Sequence, residues 1–142
     1  MRSLQILDGD LVIGPGGFVM VDGVDKVKQD LSVAVREPLG CDRFHPGWGS
    51  VLAEYVGGLP DEMTQSAIQA EIVRLVRNYA AVQADQQQVS TLSGLPNRYT
   101  AQELVVDVDR IDVRQDFDRL HLRVSVRTAT GTTVTLTNSL SI

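Results

Sequence analysis

The segment Leu120–Val126 constrains the fold of this chain more than any other. Its apolar residues alternate with polar ones, and a period of two is typical of a β-strand that buries one face. Turn-forming residues follow at 129–132, and a Thr-rich alternation then begins at Val134. A further alternation from 106 to 113 slips by one residue near Asp109, which indicates a β-bulge. The C-terminal part of the chain is therefore predicted to be a small antiparallel β-meander.

The middle of the chain has the period of a helix. Apolar residues spaced three and four apart predict a helix from Val24 to Arg36, which Pro38 ends because a residue before proline avoids the helical conformation. The segment Ser50–Val56 predicts a second, short helix that two glycines terminate. The longest helix is predicted from Asp61 to about Ala84, with acidic residues in its first turn and one apolar stripe. The stripe consists of Ala67, Ile68, Ile72, Leu75, Val76, Tyr79 and Val82.

These elements predict an α+β fold in a single domain over residues 1–142. N-terminal strands or extended arms occupy 1–22, three helices lie within 23–84, a loop spans 85–101, and the β-meander of 102–142 packs on the helices. The chain is long enough to bury one core and too short for two ordinary ones. We recognise no internal repeat in it.

Charge and composition exclude several classes of function. The formal net charge is -5, so the chain lacks the basic face that nucleic-acid binding needs. No apolar run approaches the length of a membrane span, and the N-terminus has no apolar segment of a signal peptide. The one cysteine, Cys41, cannot form an internal disulfide, which is typical of intracellular assembly. We therefore expect neither nucleic acid nor a membrane as a partner.

The loop from Leu39 to Ser50 joins the first two helices and is dense in glycine, proline and aromatic residues. A loop that only reversed the chain would not need two aromatic rings. We therefore predict that Phe44 and Trp48 anchor an ordered, buried structural joint. The residues assigned to this joint are Phe44, Pro46, Gly47, Trp48 and Gly49.

The same loop offers weak candidates for chemistry. Cys41 and His45 stand near Asp42, whose charge opposes formation of a thiolate. Zinc sites have paired Cys and His spacings, which this sequence lacks. Glycoside hydrolysis needs two carboxylates, and Glu37 has the most unusual setting, beside Pro38 and the aromatic loop. The acidic residues around the loop are Glu37, Asp42, Glu54, Asp61 and Glu62. We predict no catalytic residue, no metal site and no cofactor.

The segment Thr132–Ile142 is β-prone and carries no charge. Exposed edge strands are usually protected by lysine or proline, and this segment contains neither. Two readings stay open: the strand is covered within its own sheet, or it pairs with a strand of another chain by β-augmentation. The long helix has a second apolar strip, and the same two readings apply to it: it is covered within this chain, or it packs against a partner helix. This strip consists of Ala70, Val73, Ala80 and Ala81.

Three further segments carry a resemblance to a known family. They are Asp22–Leu31, Pro38-Leu39-Gly40 followed by His45–Ser50, and Asn78-Tyr79 late in the long helix. Together they resemble the baseplate wedge family of contractile phage tails over roughly residues 8 to 140. That family is sometimes labelled "tail lysozyme" and has relatives in bacterial contractile injection systems.

The resemblance implies a structural protein that is not an enzyme and needs no cofactor. It implies a fold like the core of a sheath subunit. It also implies that several copies of the protein are present in the six-fold tail baseplate of a virion, which assembles in the host cytoplasm. The implied partners are wedge proteins of the baseplate-J type, bound through the helix from Asp61 to about Ala84, and the tail sheath protein, bound through Thr132–Ile142. The implied partner-binding residues are Arg74, Arg77, Asn78, Tyr79, Val134, Leu136 and Leu140.

Two departures from the family accompany this expectation. The family carries Glu-Pro-Arg after its Asn-Tyr pair, whereas Ala80-Ala81-Val82 follows here, so we expect the helix to continue through Gln83. The segment 83–100 is also longer than usual. The alternative function, which the label suggests, is a peptidoglycan-degrading glycoside hydrolase that uses carboxylates of the loop region.

Overall fold

The structure is a computed structural model that describes residues 1–141. It is an α+β protein with two α-helices and small antiparallel sheets, so the predicted class is confirmed. Among the described residues, no helix is both long and apolar enough to span a membrane. The elements are β1 (Ser3–Leu4), β2 (Ile6–Leu7), β3 (Asp10–Leu11), β4 (Ile13–Gly14), β5 (Gly17–Phe18), β6 (Met20–Val21), α1 (Gly23–Arg36), a 3-10 helix (Leu52–Tyr55), α2 (Glu62–Leu92), β7 (Val105–Gln115), β8 (Arg119–Thr128) and β9 (Thr133–Ser141).

The main sheet has three antiparallel strands in the order β7-β8-β9. Strand β8 lies in the middle, and its alternating residues bury one face, as the sequence pattern predicts. The register of β7 shifts between Val105 and Asp107 and again between Val108 and Arg110, which confirms the predicted irregularity near Asp109. The final residue of the predicted segment Thr132–Ile142 lies outside the described residues.

Both helices pack on the same face of this sheet. Helix α1 lies against β9 and helix α2 lies against β7, and the apolar faces of the helix layer and the sheet form one core. This arrangement places the two helices over the outer strands. The buried apolar residues are Val27, Leu31, Ala34 and Val35 from α1; Ile68, Ile72, Leu75, Val76 and Tyr79 from α2; Val105, Leu120, Leu122, Val124, Val126, Val134, Leu136 and Leu140 from the sheet; and Leu52.

The number and lengths of the helices differ from the prediction. The predicted helix Ser50–Val56 is only the 3-10 turn Leu52–Tyr55, because glycines closely flank it on both sides. Helix α2 begins where predicted, with the Asp61 carboxylate accepting a hydrogen bond from Thr64 N at 2.6 Å. It continues to Leu92, however, so the prediction of a loop from residue 85 is wrong for 85–92.

Polar side chains that bond internally explain this long helix. Gln83 is 1% exposed; its amide nitrogen donates to Glu103 O at 2.7 Å and its oxygen accepts from Val105 N at 2.9 Å. One turn later, Gln86 accepts a hydrogen bond from the Tyr99 hydroxyl. The polar residues that suggested a loop are therefore the ones whose side chains hold the C-terminal part of α2 against the chain that leads into β7.

The N-terminal arm, residues 1–22, consists of three short antiparallel strand pairs, two of which are hairpins enclosed between β1 and β6, where the sequence suggested strands or extended arms. The pairs are β1 with β6, β2 with β3, and β4 with β5. The three strand pairs meet at Gln5, Val12 and Val19, whose backbones form a closed ring of hydrogen bonds. Gln5 N donates to Val19 O at 2.8 Å, Val12 N to Gln5 O at 3.0 Å, and Val19 N to Val12 O at 3.0 Å. Gln5, Val12 and Val19 occupy equivalent positions seven residues apart, so the expectation of no internal repeat is wrong.

Two polar side chains of the body, Gln29 and Glu103, attach the arm. The Gln29 side chain of α1 accepts from Ile6 N at 2.8 Å and donates to Leu4 O at 2.9 Å. Buried Glu103 accepts from the Met1 ammonium at 2.9 Å and from Gly23 N at 3.0 Å. Burial alone would raise the pKa of Glu103, but these hydrogen bonds and one from Thr100 N outweigh it and lower the pKa.

Candidate functional site

The outer edge of β9 is the most open hydrogen-bonding surface of the sheet. All nine residues of β9 pair with β8 without a register shift, and no other strand within residues 1–141 pairs with β9. In an antiparallel pair, alternate residues direct their backbone groups away from the partner strand. The edge therefore presents a regular row of backbone donors and acceptors.

The opposite edge of the sheet is protected in the ways that edge strands usually are. Strand β7 contains two register shifts, and charged residues follow one another along it. Several of these form exposed ion pairs, such as Arg110 with Asp112 at 2.9 Å and Arg127 of β8 with Asp109 at 3.5 Å. Bulges and charges discourage a further strand from pairing. Strand β9 has neither, so the two edges of one sheet differ in their capacity to accept a partner.

The side chains predicted to bind a partner on β9 face inward. Val134 is 1% exposed, Leu136 4% and Leu140 8%, and all three belong to the core. At this edge these residues therefore offer only their backbone groups to a partner. The outward residues of β9 are threonines and serines, which are small and uncharged.

A groove runs beside this edge. It has a volume of about 550 Å³ and is bounded by Thr137 and Asn138 of β9, by the outer face of α1, and by the first hairpin of the arm. Asn138 donates to Ser32 of α1 at 3.3 Å, which fixes the floor of the groove. Leu7 at the hairpin is 63% exposed. The residues that α1 contributes are Lys28, Gln29, Ser32, Val33 and Arg36.

The loop between α1 and the 3-10 helix closes on itself at its base. Leu39 N donates to Ser50 O at 3.1 Å and Ser50 N donates to Glu37 O at 2.8 Å. Gly49 has φ +92, and an added Cβ would lie 2.5 Å from Pro38 O, so only glycine fits there. The base of the loop is thus a rigid joint between the helices.

Arg74 of α2 holds the other side of this joint. Its guanidinium donates to Gly47 O at 3.1 Å and to Gly49 O at 2.7 Å, and it also binds the Glu71 carboxylate at 2.7 Å. The side chain of Asn78 lies against Gly47, where an added Cβ would approach its Oδ1 to 3.1 Å. Arg74 and Asn78, predicted to bind a partner, therefore make internal contacts in this chain.

The two aromatic residues of the loop have different roles. Trp48 packs on the core, its ring centroid lies 6.0 Å from that of Tyr79, and its indole nitrogen donates to Glu37. Phe44 is 90% exposed, so the prediction that it anchors the loop is wrong. It sits at the tip, where the Asp42 carboxylate accepts from Phe44 N at 2.8 Å and orders the backbone turn. Pro46 is also exposed at this tip.

Tyr79 is internal as well. It is 4% exposed, and its hydroxyl donates to Asp30 at 2.8 Å, while the same carboxylate binds buried Lys26. Burial and the Asp30 charge raise the pKa of Tyr79. Of the four residues predicted to bind a partner on α2, Arg77 is the exposed one, next to the outer strip in which Ala70 and Ala81 are exposed and Val73 and Ala80 half-buried.

Three carboxylates near the loop, Asp42, Asp61 and Glu71, have lowered pKa values. A backbone hydrogen bond from Phe44 lowers the pKa of Asp42, and one from Thr64 lowers that of Asp61. The Arg74 guanidinium lowers the pKa of Glu71. A glycosidase acid needs a raised pKa. Among residues 1–141, His, Cys, Asp and Glu form no group of three or more able to hold a metal ion.

Comparison with known proteins identifies the fold alone. No family model matches this chain, and no curated protein matches it. Among solved structures, the chain is similar to a Geobacter sulfurreducens protein described as a "putative tail lysozyme". The sequences are 12% identical, the match covers 83% of this chain and 89% of that one, and the TM-score is 0.52.

The joint can be tested with a pair of glycine substitutions. We expect Gly49→Ala to lower the free energy of unfolding by about 2–4 kcal/mol, because a Cβ at positive φ would collide with backbone. Gly16→Ala is the matched control, since a Cβ there meets no atom within 4 Å, and we expect a change within about 0.5 kcal/mol. Urea unfolding measures both. Equal stability of the two variants would show that the joint is loose.

Proposed function

We propose that this chain is a structural subunit of the baseplate of a contractile phage tail or a related injection machine. Its β9 edge accepts a strand from the first ring of sheath protein, and the outer strip of α2 packs with helices of other wedge proteins, of the baseplate-J type. Several copies serve in one six-fold particle, as a virion component. The observation that carries this proposal is the contrast between the protected β7 edge and the open β9 edge.

Three features support an assembly role. The fold is similar to that of the Geobacter protein described as a "putative tail lysozyme". The most regular strand edge of the sheet is uncharged along its whole length, which suits pairing by main-chain hydrogen bonds. The internal bonds of Arg74, Tyr79 and Trp48 hold the two helices and the loop together, and a preorganised surface loses little conformational entropy when a partner binds.

The edge is tested by placing charge on it without disturbing the core. Thr137→Glu with Ser139→Glu adds two acidic residues to the solvent face of β9, where Arg123 and His121 lie opposite them and preserve folding. We expect sheath addition to purified baseplates carrying this variant to fall at least about tenfold. Electron microscopy counts the sheathed particles.

The control is Val106→Glu, which adds a charge to the β7 edge at a residue that is 56% exposed. It should leave sheath addition unchanged, and both variants should unfold within about 0.5 kcal/mol of the wild type. Normal sheath addition by the double variant would contradict a docking role for β9.

The second candidate function is the peptidoglycan-degrading glycoside hydrolase, and the name of the Geobacter protein is the observation that favours it. Glu37 is the residue to test, because it is half-buried beside Trp48. We expect the purified chain to release no soluble fragments from peptidoglycan. Release that Glu37→Gln abolishes and Glu54→Gln preserves would replace the structural proposal with the enzymatic one.

A further inference from the structure

The groove beside β9 has the position of a side-chain pocket for an added strand. A strand that extends the sheet beyond β9 directs alternate side chains toward the helices, and on that side the groove is bounded by α1 and by the first hairpin of the arm. Asn138, at the floor, is an inward residue of β9 and is 3% exposed. The groove is therefore continuous with the open edge.

The walls of the groove define what enters it. Val33 of α1 and exposed Leu7 of the hairpin contribute apolar surface. Lys28 and Arg36 contribute positive charge from α1. Lys28 lies 3.6 Å from Asp25, whereas Arg36 is exposed and forms no ion pair with any residue in 1–141.

Two carboxylates also line the groove, and neither neutralises Arg36. Glu37 accepts a hydrogen bond from the Trp48 indole, which orients it toward the loop. Asp8 belongs to the opposite wall, at the turn of the first hairpin. The α1 wall is thus basic and the hairpin wall apolar with one acidic group at its tip.

We infer that the partner of β9 is an extended segment of another protein whose helix-side residues are apolar and include one acidic residue. The apolar side chains lie between Leu7 and Val33, and the acidic one pairs with Arg36. Its outward residues are small and polar, to match the threonines and serines of β9. The β2–β3 hairpin of the arm thus contacts the added strand and forms one wall of its binding site.

This inference rests on the proposed docking of a strand at β9, and one experiment separates the two. The probes are fluorescein-labelled nine-residue peptides of alternating threonine and valine. One helix-side valine is replaced in turn by Glu, Gln or Lys, and fluorescence anisotropy measures binding to the full chain. We expect the best-placed Glu peptide to bind about three- to fivefold more tightly than its Gln and Lys counterparts. Salt at 0.5 M should reduce the difference.

Three variants sharpen this test. Arg36→Glu should reverse the preference in favour of the Lys peptide, and Arg43→Glu, an exposed cation of the loop tip outside the groove, should leave it unchanged. Leu7→Ala should weaken every peptide about fivefold, because it removes apolar contact area.

The outcomes are distinct. Equal binding of the Glu, Gln and Lys peptides, or a preference that Arg36→Glu leaves intact, would overturn the groove assignment and leave strand pairing standing. Failure of every peptide to bind would contradict strand pairing at β9, and with it the groove.

Discussion

The open backbone of β9 is the constraint on which the rest of this structure depends. A three-stranded sheet has two edges, and this chain protects one with bulges and charge and leaves the other regular and neutral. Unpaired backbone groups in a row are a liability for a free protein because they invite association. A neutral edge of this kind is the feature that supports the proposed assembly role.

Rigidity of the body supports that edge. Helix α1 covers β9, and its C-terminal end is held by a joint in which Gly49 contacts backbone and Arg74 binds two carbonyl groups. Trp48 and Tyr79 connect the joint to α2 through the core. Residues that the sequence suggested for partner contact thus position the helix that forms one wall of the groove beside β9.

How far the sequence predicts the structure depends on whether local pattern or distant contact decides each element. Alternation placed β8, and three-four spacing placed α1, because each element buries one continuous apolar face. The last two turns of α2, residues 85–92, were missed because Gln86 is held by Tyr99, a contact that the local pattern does not show. Phe44 was misplaced because composition does not distinguish a ring packed inward from one at a loop tip. The seven-residue repeat of the arm was missed because its strands are only two residues long, which is too short to give an alternating pattern.

Amide hydrogen exchange along β9 tests the central claim most directly. In the isolated chain, we expect every second β9 amide to exchange fast and the β8 amides to be protected throughout, because only alternate β9 groups bond to β8. In baseplates with sheath attached, the fast amides should become protected. Uniform protection of β9 in the isolated chain, equal to that of β8, would show that the edge is already satisfied and would contradict the account.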